Sequence, residues 1–224
     1  MSKAENLKKI KPKYVPPYTV IRHDQEIIRS MLLGTGDLII HVIPDFFHIM
    51  EEANEKLYAV RSSATSEDGD DKSFAGMFLT KLNVEPQDVR DAILEVRASA
   101  SNNRVQSYDN EDQKVDVIVM EMVDARISGV LFSVNPVDGS NEMLVEYQDG
   151  VGGVVDGTGE STMETWDRGD TLTHLWQTEL RKEAIALEGL FAKPVDIEWA
   201  VDNEENLWIL QVRPITAIGD SNVE

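Results

Sequence analysis

The chain has 224 residues and no cysteine, and its 21 Lys and Arg against 41 Asp and Glu give a formal net charge of −20. That length allows one large domain or two small lobes burying roughly 70–75% of the unfolded surface, and the missing cysteines exclude disulfides, thiolate nucleophiles and cysteine-type zinc sites. The acidic balance argues against nucleic acid and membrane as partners; with no apolar run near 18 residues and no leader-like opening segment, a cytoplasmic protein is expected.

The first 13 residues are locally basic, with Lys3, Lys8, Lys9, Lys11 and Lys13 against the single acid Glu5. A solvated arm and a cationic part of a site are both open readings. Val15-Pro16-Pro17 leads into an apolar alternation over 18–21, and helices are expected near 24–33 and 45–56, the second opened by Pro44 and Asp45. Residues 57–61 read as a buried strand running into a polar loop over 62–76. Residues 77–84 read as a strand, and 86 to about 108 as a helix begun at Pro86. The most β-prone stretch is 115–123, and strands are expected near 128–134, 142–147, 162–167 and 171–176, separated by Gly, Asp and Asn turns. A helix over 178–190 aligns Leu180, Ala184 and Leu187 on one face and stops near Gly189. Strands over 196–201 and 207–212 close an α+β pattern with mostly antiparallel pairing.

The last two strands carry the densest chemistry. Ile197, Trp199 and Val201 alternate with Asp196, Glu198 and Ala200, while Trp208, Leu210 and Val212 alternate with Ile209, Gln211 and Arg213. Burying both apolar sets on one side requires paired residue numbers with an odd sum. A four-residue loop over 203–206 meets this by pairing Asp202 with Leu207, for a constant sum of 409. Glu198 then lies opposite Gln211 and Asp196 opposite Arg213. A solvent-facing sheet surface with one cross-strand ion pair is one reading. A Mg²⁺ site is the other, because a hard cation takes a few carboxylate or amide oxygens together with phosphate oxygens.

Arg61 ends an apolar strand and is followed by Ser62, Ser63, Thr65 and Ser66, with Ser73-Phe74-Ala75-Gly76 further on. Small hydroxyl residues and a glycine let backbone N–H groups approach an anion, and an arginine can pair with phosphate oxygens. An ordinary polar surface loop fits the same composition, since no P-loop or G-x-G-x-x-G spacing occurs.

Three motifs in order, AVRSSATSED with SFAG, VIVMEMVDARISGVLFSVNPVDG, and DIEWAV with LQVRPIT, resemble the nucleotide-binding domain of phosphoenolpyruvate synthase. Pyruvate phosphate dikinase, rifampin phosphotransferase and glucan water dikinases belong to the same wider family. The resemblance implies an ATP-grasp fold, in which two α+β lobes with mostly antiparallel sheets clasp ATP. The expected lobes are 1–112, with the Arg/Ser phosphate loop, and 113–216, with the hinge and the metal hairpin, followed by a tail at 217–224. By the same resemblance Arg61 binds phosphate, and Ser73, Phe74, Ala75 and Gly76 cover the phosphates. Glu121, Met122 and Val123 form a hinge that reads adenine through the backbone. Glu198 and Gln211 hold the metal, Arg213 binds phosphate, and Asp196 orients Arg213 or a metal-bound water. The segment 2–7 followed by Val15-Pro16-Pro17 is similar to the family's GGKGANL and VPPGF, which makes Lys3 the phosphate-binding lysine, although the surrounding glycines are missing.

Two departures stand out. Asp149-Gly150-Val151-Gly152-Gly153 replaces the family's W-G-L-G-E-like stretch and loses its acid at Gly153, and Tyr108-Asp109 replaces Y-R. The four histidines, His23, His41, His48 and His174, lie outside any G-G-x-x-S-H-like context, so each is expected to be structural. The resemblance therefore implies a Mg·ATP-dependent phosphotransferase half-enzyme that passes the β-phosphoryl group to a histidine on a partner domain or protein, releasing AMP and phosphate. A catalytically degenerate nucleotide-sensing module and an ATP-grasp carboxylate–amine ligase are the alternatives.

Overall fold

A computed structural model describes residues 2–24, 31–32, 38–39, 56–64, 79–103, 115–150 and 161–216. The chain divides into two compact units, one formed by Pro17–Met122 and the other by Lys3–Pro16 together with the chain from Val123 onward.

The first unit is built on a four-stranded antiparallel sheet in the order β1 (Tyr18–Ile21), β6 (Val115–Glu121), β4 (Tyr58–Ala64), β5 (Thr80–Val84). The β-branched run in β6 suits a strand buried on both faces, and all of Val117, Ile118, Val119 and Met120 are buried. A short 3₁₀ turn at Pro86–Asp88 leads into helix α2 (Val89–Asn103), which lays Val89, Ala92, Ile93 and Val96 on the sheet against Val60 and Val117. That spacing of three and four residues is the apolar stripe of a half-buried helix.

The second unit carries a five-stranded antiparallel sheet in the order β11 (Leu207–Pro214), β10 (Val195–Asp202), β7 (Ala125–Phe132), β8 (Met143–Asp149), β9 (Thr162–Trp166). Helix α3 (Leu175–Phe191) buries Trp176, Leu180, Ala184 and Leu187. On the face of the sheet that holds Trp199, the Trp176 ring stacks on Trp199 at 4.9 Å and meets Tyr147 edge-on at 6.0 Å. Gly129 in β7 allows close strand approach, because a Cβ there would stand 2.2 Å from the Glu146 carbonyl oxygen. The short N-terminal helix α1 (Lys3–Leu7) packs against β11. The segment after it runs beside α3, where Lys11 pairs with the buried Glu183, Lys13 lies 3.9 Å from Glu179, and Lys9 sits over the Phe191 ring.

The expected elements hold in outline, with differences that have local causes. The expected lobe boundary at 112/113 is displaced, since β6 belongs between β1 and β4 while the basic N-terminal segment joins the hairpin's unit through α1 and α3. Met31–Leu32, expected within a helix, pairs as strand β2 with strand β3 at Leu38–Ile39; the intervening Gly34-Thr35-Gly36 is turn-forming in composition. Ser62 and Ser63 remain in β4, fully buried, where a loop was expected. The strand expected at 171–176 is the approach to α3, whose first turn is held by Gln177 Oε1 accepting from the His174 backbone N–H at 3.0 Å. Gly189 lies inside α3, which ends instead at Ala192 with φ 52°. Residues 45–55, 65–76, 108–109, 153 and 217–224 lie outside the described residues, and with them the second expected helix, the Ser73–Gly76 loop, the expected tail and the departures at Asp109 and Gly153.

Candidate functional site

The β10–β11 register brings Asp196 opposite Arg213 and Glu198 opposite Gln211, as the alternation requires. The constant sum then breaks. A bulge beside Glu198 steps the register past Leu210, so that Trp199, Ala200 and Val201 face Ile209, Trp208 and Leu207. An extra residue on one strand exchanges the two faces beyond it, so near the turn Leu207 and Ile209 are buried in place of the expected Trp208 and Leu210. The turn is set by Asp202, whose carboxylate accepts from the Glu204 and Asn206 backbone N–H groups and from the Trp208 indole, each at 2.9 Å. Glu205 takes the left-handed conformation there at φ 66°.

At the other end of the hairpin, Arg213 Nε donates to Asp196 Oδ2 at 2.6 Å, with the Asp196 side chain nearly buried and Arg213 41% exposed. This charge-assisted bond fixes the guanidinium while leaving part of it open. Glu198 is half-buried and Gln211 buried, one on each strand of a directly opposed pair with Cβ atoms about 5 Å apart. α3 covers the opposite face, so Asp196 and Glu198 share the face with Val130 and Phe132 of β7, their register partners.

Among the described residues no group of three or more His, Asp or Glu side chains gathers as a self-sufficient metal centre. The donor set is instead a carboxylate and an amide with a second carboxylate two residues along. This hard-oxygen set fits Mg²⁺, which keeps several water or phosphate ligands and takes few from protein. It does not fit a dedicated protein cage.

Arg61 lies mid-strand in β4 of the other unit, opposite Ile118 of β6 and Thr80 of β5, half-buried on the face away from the core residue Val60. Lys3 lies on α1, half-buried, in the same unit as Gln211 and Arg213. Of the residues expected to form a hinge, Glu121 N–H donates to the Pro17 carbonyl at 2.9 Å and Met122 N–H to the Leu57 carbonyl at 2.8 Å, while the Glu121 carboxylate pairs with Lys56 at 2.8 Å. Two of the three hinge N–H groups are thus spent on the chain itself. Val123 N–H has no acceptor among the described residues. Val123 stands two residues before Ala125, the partner of Asp202. Asp196 lies six residues back along β10, about 20 Å at a strand rise of about 3.3 Å.

Sequence reasoning missed Ser133, Arg168 and Glu188. Arg168 forks onto Glu188 at 2.6 and 2.9 Å, and Ser133 is fully buried beside the start of β10. The motif VIVMEMVDARISGVLFSVNPVDG ran through Ser133 without giving it a role, and no sequence signal marked Arg168 or Glu188. The histidines within the described residues have structural contacts: His23 pairs with Asp116 at 3.0 Å, and His174 stacks on Trp176 at the start of α3.

The sequence profile of the pyruvate phosphate dikinase AMP/ATP-binding domain matches residues 21–167 and 160–224. The chain is 31% identical over 209 residues to a probable phosphoenolpyruvate synthase of Methanothermobacter thermautotrophicus, covering 74% of this chain and 30% of that protein. It is 30% identical to the phosphoenolpyruvate synthase of Pyrococcus furiosus, covering 73% and 27%. The chain therefore spans less than a third of the length of these curated relatives. Among solved structures, PH1788 from Pyrococcus horikoshii superposes with a TM-score of 0.52 at 12% identity, covering 96% of this chain and 90% of that one, a likeness of fold.

Proposed function

The chain belongs to the pyruvate phosphate dikinase AMP/ATP-binding domain family, and on that premise we propose that it binds Mg·ATP and passes the β-phosphoryl group to a histidine on a partner domain or protein. Its two larger antiparallel sheets, each with a helix packed on it, have the α+β architecture of an ATP-grasp domain. The observation that supports the reading is the hairpin patch, where Asp196–Arg213 and Glu198–Gln211 stand in adjacent rows of the same strand pair.

In this reading adenine meets the Val123 N–H, and the phosphates lie toward the far end of the hairpin, where Arg213 is aimed by Asp196. Glu198 and Gln211 hold Mg²⁺, which when bound neutralises charge on the phosphate oxygens. Arg61 and Lys3 supply further phosphate contacts, and Ser73, Phe74, Ala75 and Gly76 the covering loop. A histidine nitrogen of the partner attacks the β-phosphorus, the bond to the α-phosphate oxygen breaks, and AMP leaves; water then releases the γ-phosphate as inorganic phosphate. The chain contributes alignment and charge stabilisation to a step with little covalent chemistry of its own.

Calorimetry with Mg·ATP tests the binding half: saturable binding is expected, and its absence overturns the reading. β-Radiolabelled ATP with a candidate histidine-bearing partner tests the transfer. Label retained on the partner with AMP released supports it. Binding without transfer or turnover indicates the sensing module, and ADP as product indicates the ligase.

A further inference from the structure

Resting on the Mg·ATP reading, we propose that Ser133 is a positioning residue for the Asp196–Arg213 pair, held in its working orientation by Arg168. In a regular antiparallel ladder, opposed residues exchange two backbone bonds, N–H to carbonyl in each direction. Ser133 follows β7, and its backbone N–H donates to the Val195 carbonyl at 2.9 Å. The return bond is not made by its backbone. Val195 N–H donates to the Ser133 hydroxyl at 2.8 Å, and the Ser133 carbonyl accepts from Arg168 Nη2 at 3.0 Å. The side chain has taken over the duty of its own carbonyl, so the chain can leave the sheet toward the turn at 135–140 without releasing the start of β10.

Arg168 makes this exchange possible. Its guanidinium forks onto Glu188 of α3, and its Nε donates to Asn141 Oδ1 at 3.0 Å. One side chain thus ties the turn after β9, the loop after β7 and the helix to one point. Ser133 and Val195 are both fully buried, so no water can replace a lost bond without rearrangement. The next residue is Asp196, whose carboxylate aims Arg213. A displacement of Val195 passes directly to that carboxylate and, two residues on, to Glu198. Such supporting bonds are worth about 10–100-fold in metal affinity where they orient ligands.

The test is the magnesium dependence of ATP binding, read by calorimetry, with AMP binding in the absence of magnesium measured alongside. Ser133→Ala is expected to raise the half-saturating magnesium concentration about tenfold and to leave AMP affinity unchanged, while Ser133→Thr, which keeps the hydroxyl, stays within about twofold of wild type. Arg168→Lys retains a charge for Glu188 but cannot reach Asn141 and Ser133 together, and is expected to shift the magnesium requirement in the same direction by about threefold; it also serves if Ser133→Ala does not fold. Val96→Ala, in the other unit, controls for lost stability. An unchanged magnesium requirement in Ser133→Ala, or in Arg168→Lys if the alanine variant does not fold, overturns the proposal, as does an equal shift in Val96→Ala. A wild-type chain that binds AMP but shows no magnesium-dependent ATP binding overturns the functional reading itself, and the role of Ser133 with it.

Discussion

The two units bury one face of an antiparallel sheet by different means. In the unit of Pro17–Met122 the core is almost wholly aliphatic, with Ile21, Val60, Val89, Ile93, Val96 and Val117 meeting between sheet and helix. In the hairpin's unit aliphatic residues such as Leu131, Leu180, Ile197 and Ile209 are joined by an aromatic cluster with polar partners. Trp176 and Trp199 stack, Tyr147 donates to Glu164 at 2.7 Å, and the Trp166 indole donates to the same carboxylate at 2.8 Å. Burial, with that hydrogen bond and the Glu164 charge, pushes the Tyr147 phenol up to about 12. Aliphatic packing tolerates small shifts, whereas each buried hydrogen bond has one geometry. The unit proposed to aim ligands at a metal is the one whose interior is specified by directional contacts. All four tryptophans, Trp166, Trp176, Trp199 and Trp208, also lie there, so fluorescence reports on that unit.

The largest expected effect strikes the hairpin's sheet. Gly129→Ala forces a Cβ into the Glu146 carbonyl across the β7–β8 pair, and a loss of about 3 kcal/mol is expected from overpacking against backbone. Urea unfolding followed by tryptophan fluorescence reads it. Equal midpoints for variant and wild type would show that β7 and β8 can part without cost.

Next come the residues proposed to hold the metal and the phosphates. Glu198→Gln and Arg213→Ala are each expected to weaken Mg·ATP binding about a hundredfold, the range for losing a metal ligand or a charge-assisted phosphate contact. Arg61→Ala, in the aliphatic unit, is expected to weaken ATP binding about tenfold while leaving the magnesium dependence unaltered. Calorimetry at varied magnesium separates the two patterns. A magnesium shift in Arg61→Ala would erase the division of labour between the units.

The smallest effect is a pH dependence at the hairpin turn. Burial pushes the Asp202 carboxyl up, but hydrogen bonds from the Trp208 indole, the Asn206 side chain and the backbone N–H groups of Asn206 and Glu204 outweigh it, so the group titrates below the ordinary 3.8. A depressed folded value stabilises the fold above the unfolded value of about 3.9 and loses that contribution as pH falls through the folded one. The stability advantage of wild type over Asp202→Asn is therefore expected to be constant from about pH 5 to 7 and to shrink below about pH 4. Urea midpoints across that range test it, and an advantage that grows on acidification would contradict the sign.

Legibility followed sequence distance. Asp196, Glu198, Gln211 and Arg213 sit on strands joined by a short turn, so alternation and loop length sufficed to pair them. The bulge did not show, because Leu210 is as apolar as its neighbours and nothing in the composition marks where the register steps. Ser133 was hidden for another reason: its role depends on Arg168, 35 residues later, and on Val195, 62 residues later. The likeness of residues 2–7 to a family motif suggested a role for Lys3, yet the N-terminal segment's place was set by contacts with a helix more than 160 residues away, as in Lys11 with Glu183.

Length, an acidic balance, the absence of cysteine, the antiparallel α+β pattern and the pairing of Asp196 with Arg213 and Glu198 with Gln211 were determined by the amino-acid order alone, because each rests on composition or on periodicities spanning a few residues. Which strands share a sheet, where the bulge falls, which backbone N–H groups over 121–123 find acceptors and which residues bond the start of β10 were decided only by the tertiary structure. Those outcomes depend on partners brought together from across the chain, and a local pattern carries no record of a distant partner until packing selects it.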